Sequence, residues 1–353
     1  MLSQERLLQL IERFSVARVA VIGDFFLDKY REIDPSLDEV SVETGLPAHQ
    51  VVRKWNSPGA AGTVVNNLHG LGAGTLFAVG MVGDDGEGYE LRRGLEQRGC
   101  NAEGLLGFEG ILTPVYHKTM VLGKEGLDAE TDRYDTKKRT PVDPEIEETL
   151  KQKIDELWDE VDAVIIEDQV EDEDCGVLTS EVRAHLIEHA KADEKKVILV
   201  DSRCRIELYQ NMLIKPNEAE CIRAIHTLEQ ATSPGEEFDD ETIQNCGGDL
   251  YERTGKPVFV TRGRKGIQFF SKEKPVTVPA VAIPEPTDPT GAGDSTSAGI
   301  VMALAAGASM EEAALVGVLV GSITVQHLGT TGFATPDQLP ARLGMWHDQL
   351  QDL

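Results

Sequence analysis

Along the chain, short apolar runs alternate with stretches whose apolar residues recur every three or four positions. VARVAVIGD (16–24), TLFAVGMVGDD (75–85), VDAVIIED (161–168) and KKVILVDSR (195–203) are runs of the first kind. NMLIKPNEAEC (211–221) and KPVFVTRGRKGIQFF (256–270) follow the same pattern. A strand that is apolar at nearly every position has both faces covered, as in a parallel sheet sandwiched between helices. GEGYELRRGLEQRG (86–99), LTSEVRAHLIEHAKAD (178–193) and the N-terminal LSQERLLQLIERF carry helical spacing instead. The alternation predicts an α/β fold: a central, mostly parallel sheet covered by helices on both faces. Ligands gather at the carboxyl ends of the strands in such sheets. Here those ends read Gly23-Asp24, Gly83-Asp84-Asp85, Glu167-Asp168, Asp201-Ser202-Arg203, Pro216-Asn217 and Thr261-Arg262-Gly263.

Two segments, about 29–56 and 111–135, break this rhythm with alternating β-like patterns and no helical period. They are expected to pair as a small sheet projecting from the main one, a lid over the strand ends. With no repeat, low-complexity tract or linker, residues 1–353 read as a single domain with a lid.

Composition narrows the partners. The formal net charge is −27, which argues against nucleic acid and anionic membranes, since both demand a basic face. An anionic ligand would therefore need backbone N–H groups, local basic residues or a metal. No apolar run approaches the ~20 residues of a membrane span, and the N-terminus lacks the pattern of a secretory signal. A cytoplasmic protein is expected. Cys100, Cys175, Cys204, Cys221 and Cys246 show no C-x-x-C pair and no zinc spacing, so reduced thiols are expected. His69 and His117 read as surface or satisfied residues rather than ligands.

The chemistry concentrates in DPTGAGDSTSAG (288–299), where helix-start residues and glycines precede an apolar helical run. The first turn of a helix leaves N–H groups unpaired at its positive end. Gly291, Ala292 and Gly293 could thus point amides at a phosphate. Asp294 directly behind them has two readings on spacing alone: a helix cap, or the acceptor of a proton from an attacking hydroxyl. A helix N-terminus is expected to lower its pKa.

This string resembles the second signature of the ribokinase-like (PfkB) family of carbohydrate kinases, D-x-T-G-A-G-D followed by three variable residues and a small one. Asp288, Thr290, Gly291, Ala292, Gly293, Asp294 and Ala298 match it. The resemblance implies that Asp294 is the catalytic base and that the three preceding amides hold the transferring phosphoryl group. GDFFLD (23–28) is similar to the first-strand motif of the heptose kinase branch, with Asp28 where the family's sugar-binding acid sits. KPNEAE (215–220) matches the N-x-x-E element, which implies Asn217 and Glu220 near Mg²⁺, through water, and near the phosphates. TRGRKG (261–266) matches the strand-turn beside the nucleotide, implying Thr261, Gly263 and Gly266. HLGTTGFATPDQL (327–339) resembles the C-terminal G-T stretch and adds Gly329 to the nucleotide side.

The family's first signature is altered in PGAAGTVVNN (58–67). Gly59 is kept, Ala60 replaces the second glycine, and Thr63 stands where the sugar-binding asparagine belongs. Asn67 matches a second asparagine of the heptose branch. The departures lie on the sugar side, so either Thr63 serves a different acceptor or the chain is a diverged, weakly active member. In VDAVIIEDQ…CGVLTSEV an acidic insert, VEDED, interrupts a heptose kinase segment whose lysine is missing.

The resemblance implies ATP-dependent phosphoryl transfer to a hydroxyl of a sugar or sugar phosphate, with ATP and Mg²⁺, a monovalent cation such as K⁺ near Asp288 and Thr290, and a homodimer. Two rivals stand beside it: a nucleoside kinase of the same fold, and a catalytically silent nucleotide or sugar sensor. No P-loop motif is present, and GLGAG (70–74) lacks dinucleotide-loop spacing. GVLVG (317–321) reads as close helix packing. No H-x-G-H motif occurs, so the nucleotidylyltransferase half carried by some heptose kinases is not expected. Arg133, Arg203 and Arg262 are candidates for an acceptor phosphate or for ordinary ion pairs. Glu167 and Asp168 are candidates for Mg²⁺ or for capping a turn.

Overall fold

The computed structural model describes residues 2–124, 129–226, 238–329 and 331–351. The strands, in chain order, are β1 (Arg18–Gly23), β2 (Phe25–Ile33), β3 (Glu39–Val40), β4 (Pro47–Ala48), β5 (Val51–Ala60), β6 (Thr75–Gly83), β7 (Cys100–Phe108), β8 (Val115–Val121), β9 (Glu130–Thr136), β10 (Ala163–Asp168), β11 (Val197–Ser202), β12 (Leu213–Ile214), β13 (Val258–Thr261), β14 (Ile267–Phe270) and β15 (Val276–Val278). The helices are α1 (Gln4–Glu12), α2 (Ala61–Gly70), α3 (Gly86–Glu96), α4 (Pro144–Trp158), α5 (Ser180–Ala192), α6 (Glu218–Ile225), α7 (Asp240–Thr254), α8 (Ala292–Ala305), α9 (Met310–Thr324) and α10 (Leu339–Gln351).

Nine strands form the main sheet in the order β15-β14-β13-β12-β11-β10-β1-β6-β7. All neighbours from β13 to β7 pair in parallel, and β14 alone runs against the rest, antiparallel to both β13 and β15. The apolar runs explain why. In β1, Val19 and Val21 join one core layer while Ala20 and Ile22 join the other. Ala163 and Ile165 against Val164 and Ile166 in β10 repeat this division, as period-two strands buried on both faces must. The first layer packs α1, α2, α3, α8, α9 and α10; the second packs α4, α5, α6 and α7.

The helix α8 that carries Asp294 is fixed by close approach to α9. A Cβ on Gly299 would lie 2.9 Å from Val320 Cγ2, and one on Gly317 would lie 2.8 Å from Ile300 Cγ1. This is the close packing expected of GVLVG.

The two segments outside the main rhythm form a separate four-stranded sheet, β5-β2-β8-β9. It is longer than expected: β2 starts at Phe25, one residue after β1 ends, and β5 runs to Ala60. Within the 111–135 segment, residues 125–128 lie outside the described residues. Tyr30 and Trp55 stack across it with ring centroids 5.0 Å apart.

Between the sheets, the buried Asp24 fastens one loop. Its Oδ2 accepts hydrogen bonds from the backbone N–H groups of Gln169 (2.8 Å) and Val170 (3.0 Å), and its Oδ1 from Val177 (2.7 Å). The acidic insert VEDED lies within that loop. Burial, reinforced by the charge of Asp168, pushes Asp24 up to about 6.

Candidate active site

Three carboxylates converge at the carboxyl ends of the central strands. Glu167 ends its rise along β10, Asp201 lies near the end of β11, and Asp294 sits in the first turn of α8; their ligand oxygens all lie within 4.8 Å of one another. Lys215, one residue past β12, is buried, and its Nζ stands 2.6 Å from Asp201 Oδ2. The same ammonium is 3.5 Å from where a Cβ on Gly293 would lie, so it reaches the start of α8.

The field in this group follows from burial and like charge. Burial, then Asp201, pushes Asp294 up to about 7, against the pull of Lys215 and Arg203. Burial and the charges of Asp201 and Asp294 raise Glu167 well above the carboxylate range. Its Oε1 is buried with no hydrogen-bond partner among the described residues, while its Oε2 accepts from Gln169 Nε2 at 3.1 Å. Glu220 is pushed up to about 7, again by burial and then Asp201. The expected lowering of the Asp294 pKa is therefore corrected. Desolvation and two neighbouring acids outweigh the favourable helix end.

The start of α8 also differs in detail. Gly291, at φ +75°, occupies the cap position, and Asp294 makes no capping bond, which removes the cap reading. The Ala292 N–H closes a turn on Pro289 O at 3.0 Å. The expected trio of amides is thus corrected to two, Gly291 and Gly293, whose N–H groups have no acceptor among the described residues. Asp288 is buried; its Oδ1 accepts from Thr290 N (2.9 Å) and its Oδ2 from Gly329 N (3.0 Å). Gly329 therefore ties the loop before α10 to the signature.

Beside Gly293 opens a cavity of about 760 Å³ with mainly apolar walls, including Ile283 and Val318, and Thr261, Gly263 and Gly266 also line it. Gly266 has φ +95°, and a Cβ there would fall 2.1 Å from Val278 O, so the turn accepts only glycine. Asn217 and Glu220 form a reciprocal capping box on α6: Asn217 Oδ1 accepts from Glu220 N (2.9 Å) and Glu220 Oε2 from Asn217 N (2.8 Å). A bridge between Asn217 and Thr261 holds that helix start beside the cavity wall.

On the other side, Asp28 is buried in β2, with Lys118 Nζ 3.3 Å from its Oδ1. A Cβ on Gly59 would come 2.7 Å from Asp28 Oδ2, which accounts for glycine there. The Asp28 charge reaches Asp294, adding to its rise. Thr63 is buried on α2 with its methyl 3.3 Å from a Cβ built on Gly291. Asn67 is wholly enclosed and donates its amide to Thr63 O at 2.9 Å. Ala60 has φ +51° and ψ −121° where the family pattern has glycine.

The remaining candidates separate cleanly. Asp168 points away from Glu167, as neighbours on a strand do, and is bound by Arg205 (2.6 Å), Ser202 (2.8 Å) and Tyr209 (3.0 Å). Arg262 is buried between Glu218 and Asp240, at 2.6 Å from each. Arg133 pairs with Asp135 at 2.7 Å. Arg203 remains half open, 3.8 Å from Glu171. His69 is exposed and His117 faces Arg31 at 3.3 Å; the five cysteines are free thiols. Sequence reading gave no role to Asp201, Lys215 or Lys118, though all three interrupt apolar strand patterns.

Three comparisons bear on this arrangement. The model of the pfkB family carbohydrate kinases matches residues 18–338. Bifunctional protein HldE of Caulobacter vibrioides is 31% identical over 329 residues, 92% of this chain and 63% of that protein. Bifunctional protein HldE of Pelobacter propionicus is 29% identical over 335 residues, 94% and 64% respectively. The chain thus spans somewhat under two thirds of these relatives' length. Among solved structures, the fold is shared by Escherichia coli phosphofructokinase-2 in complex with fructose-6-phosphate (TM-score 0.65, 16% identity, 94% of this chain and 99% of that one). It is shared too by Cryptococcus neoformans ribokinase in complex with ADP (TM-score 0.63, 17% identity, 92% and 99%).

Proposed function

The chain belongs to the pfkB family of carbohydrate kinases, and we propose that it moves the terminal phosphoryl group of ATP onto a hydroxyl of a sugar phosphate of the heptose type. The observation that carries this reading is Asp294: a buried carboxylate held at about 7, next to two amides with no acceptor among the described residues and a large apolar cavity. A base with a pKa near working pH combines adequate ionisation with real proton affinity. Asp294 takes the hydroxyl proton, while the Gly291 and Gly293 N–H groups donate to the oxygens of the transferring group. The cavity beside Gly293 receives the nucleotide, its apolar walls against the base and its polar end against the phosphates.

The residues present fit a divalent ion. Mg²⁺ takes oxygen ligands and keeps several waters, and Glu167 brings a buried oxygen with no partner among the described residues. Glu167, Asp201 and Glu220, with Asn217 behind Glu220, would hold it directly or through water. When bound it neutralises phosphate charge. A monovalent cation near Asp288 and Thr290 also fits, because Asp288 is buried, accepts only backbone amides, and pairs with no Lys or Arg among the described residues.

The buried Asp28–Lys118 pair favours a hydroxyl-rich, charged acceptor over a nucleoside, whose base prefers apolar walls. We read the exposed Val40, Val42, Leu46, Val51 and Val52, in the stretch that leads from β3 into β5 of the small sheet, as a contact with a second copy. The sheet itself would close over the sugar and exclude water. No helix among the described residues is long and apolar enough to cross a membrane, in keeping with a cytoplasmic setting. The test is ADP release over a panel of heptose phosphates, other sugar phosphates, free sugars and nucleosides. Turnover greatest with nucleosides would select the rival kinase. Nucleotide binding without turnover above an Asp294→Asn control would select the sensor.

A further inference from the structure

A second group of metal-ligating side chains lies on the opposite face of the main sheet. His185 and His189 are one turn apart on α5, so both rings project from the same side of the helix. Asp155 faces them from α4. His185 Nε2 is 2.7 Å and His189 Nε2 2.6 Å from the same oxygen, Asp155 Oδ1. The three ligand atoms all lie within 4.8 Å of one another. The rings are held rather than free: His185 and His189 meet edge to face at 4.8 Å, and His189 packs on Trp158 at 4.3 Å. The imidazoles are three-quarters covered while the carboxylate is half exposed, which leaves an open approach from solvent.

We propose that Asp155, His185 and His189 bind a divalent transition-metal ion, Zn²⁺ serving as the probe, which ties α4 to α5. Two imidazole nitrogens and one carboxylate oxygen are a borderline donor set that suits Zn²⁺, Ni²⁺ or Cu²⁺ and disfavours Mg²⁺. In a tetrahedral zinc site, bonds of ~2.0–2.2 Å place ligand atoms ~3.3 Å apart. The present N···O contacts of 2.6 and 2.7 Å therefore open by roughly 0.6–0.7 Å as the ion takes the place of the shared protons. Each imidazole then presents a bare Nε2, its proton passing to Nδ1 or to solvent. Solvent fills the fourth position. The site is independent of Glu167, Asp201 and Asp294, because α4 and α5 pack in the core layer away from α8.

The experiment is calorimetric titration of Zn²⁺ into the full chain kept in excess Mg²⁺, comparing wild type with His185→Ala, His189→Ala, the double variant and Asp155→Asn. Wild type is expected to take one ion per chain with a dissociation constant of ~10⁻⁵ M or tighter. Each single histidine variant should weaken binding by at least the ~10–100-fold that loss of a ligand's own hydrogen-bond partner costs. Zn²⁺ should raise the melting temperature of wild type and not of the double variant, with ADP release in Mg²⁺ the same in both. Asp155→Asn, which keeps the shape of the side chain, separates lost ligation from lost folding. Equal Zn²⁺ uptake by wild type and double variant, or no uptake by wild type at ~10⁻⁴ M, overturns the site.

Discussion

Replacing Asp201 by Asn tests the electrostatics of the cluster without touching the group proposed as base. Asp201 is the main like charge raising Asp294, and their oxygens lie within 4.8 Å. At that separation and an effective dielectric of about 20, two unit charges interact by about 3.5 kcal/mol. At ~1.4 kcal/mol per pKa unit, this corresponds to about 2.5 units, which the ammonium of Lys215 beside Asp201 offsets in part. Burial, the larger cause, survives the substitution, so a fall of about 1.5 units from about 7 is expected. Lys215, released from its 2.6 Å pair with Asp201, pulls the same way. The sign follows from the mechanism: only ionised Asp294 accepts a proton, so activity declines as pH falls through its pKa. With a base titrating at about 7, the ratio of kcat/KM at pH 6 to that at pH 8 is ~0.1; after a shift of ~1.5 units it becomes ~0.8. The ratio, taken at saturating Mg²⁺, is the readout, because the absolute rate also falls if Lys215 loses its position or the metal loses a ligand. An acid limb that stays in place, or moves to higher pH, would refute the account of how Asp294 is tuned.

Asp294→Asn should lower turnover at least ~100-fold while leaving ATP affinity nearly unchanged; near-normal turnover would exclude the base role. The same variant should be more stable than wild type at pH 8. A raised carboxyl stabilises the fold fully below its ordinary value near 3.8, and that contribution is lost as pH rises through about 7. Urea unfolding should show a difference on the order of 2–4 kcal/mol at pH 8, vanishing towards pH 4. Ala60→Gly should stabilise the chain by about 1 kcal/mol, since φ +51° with ψ −121° strains any residue with a Cβ; an unchanged denaturation midpoint would place that strain elsewhere. Gly317→Leu should destabilise by roughly 1–3 kcal/mol or more by forcing α9 from α8, and should cost activity as Asp294 moves with its helix.

Much of this was legible in the residues because it depends on local pattern. Strands apolar at every position announce a parallel sheet, and DPTGAGD announces a glycine-rich helix start. Strand β7 escaped because CNAEGLLGF lies at a sheet edge and carries two glycines, so it shows neither an apolar run nor strict alternation. The sign of the Asp294 pKa shift is not legible locally, because the helix end is a neighbour in sequence whereas Asp201 and Asp28 arrive from two other strands. Arg262 and Asp168 illustrate the same limit: each stands at a strand end, yet each is used up by partners distant in the chain. Which of Glu167 and Asp168 enters the site depends on strand facing, which turns on a single residue of register.

Asp24 has one more implication. Because a single side chain grips both feet of the 169–177 loop, the entry and exit of that loop stay fastened to the end of β1. Changes of length among residues 171–173, between the gripped Val170 and the Asp174 that bonds the start of α5, are expected to leave the reacting groups where they are. That stretch can be rewritten as one exchangeable part, with the machinery behind it undisturbed.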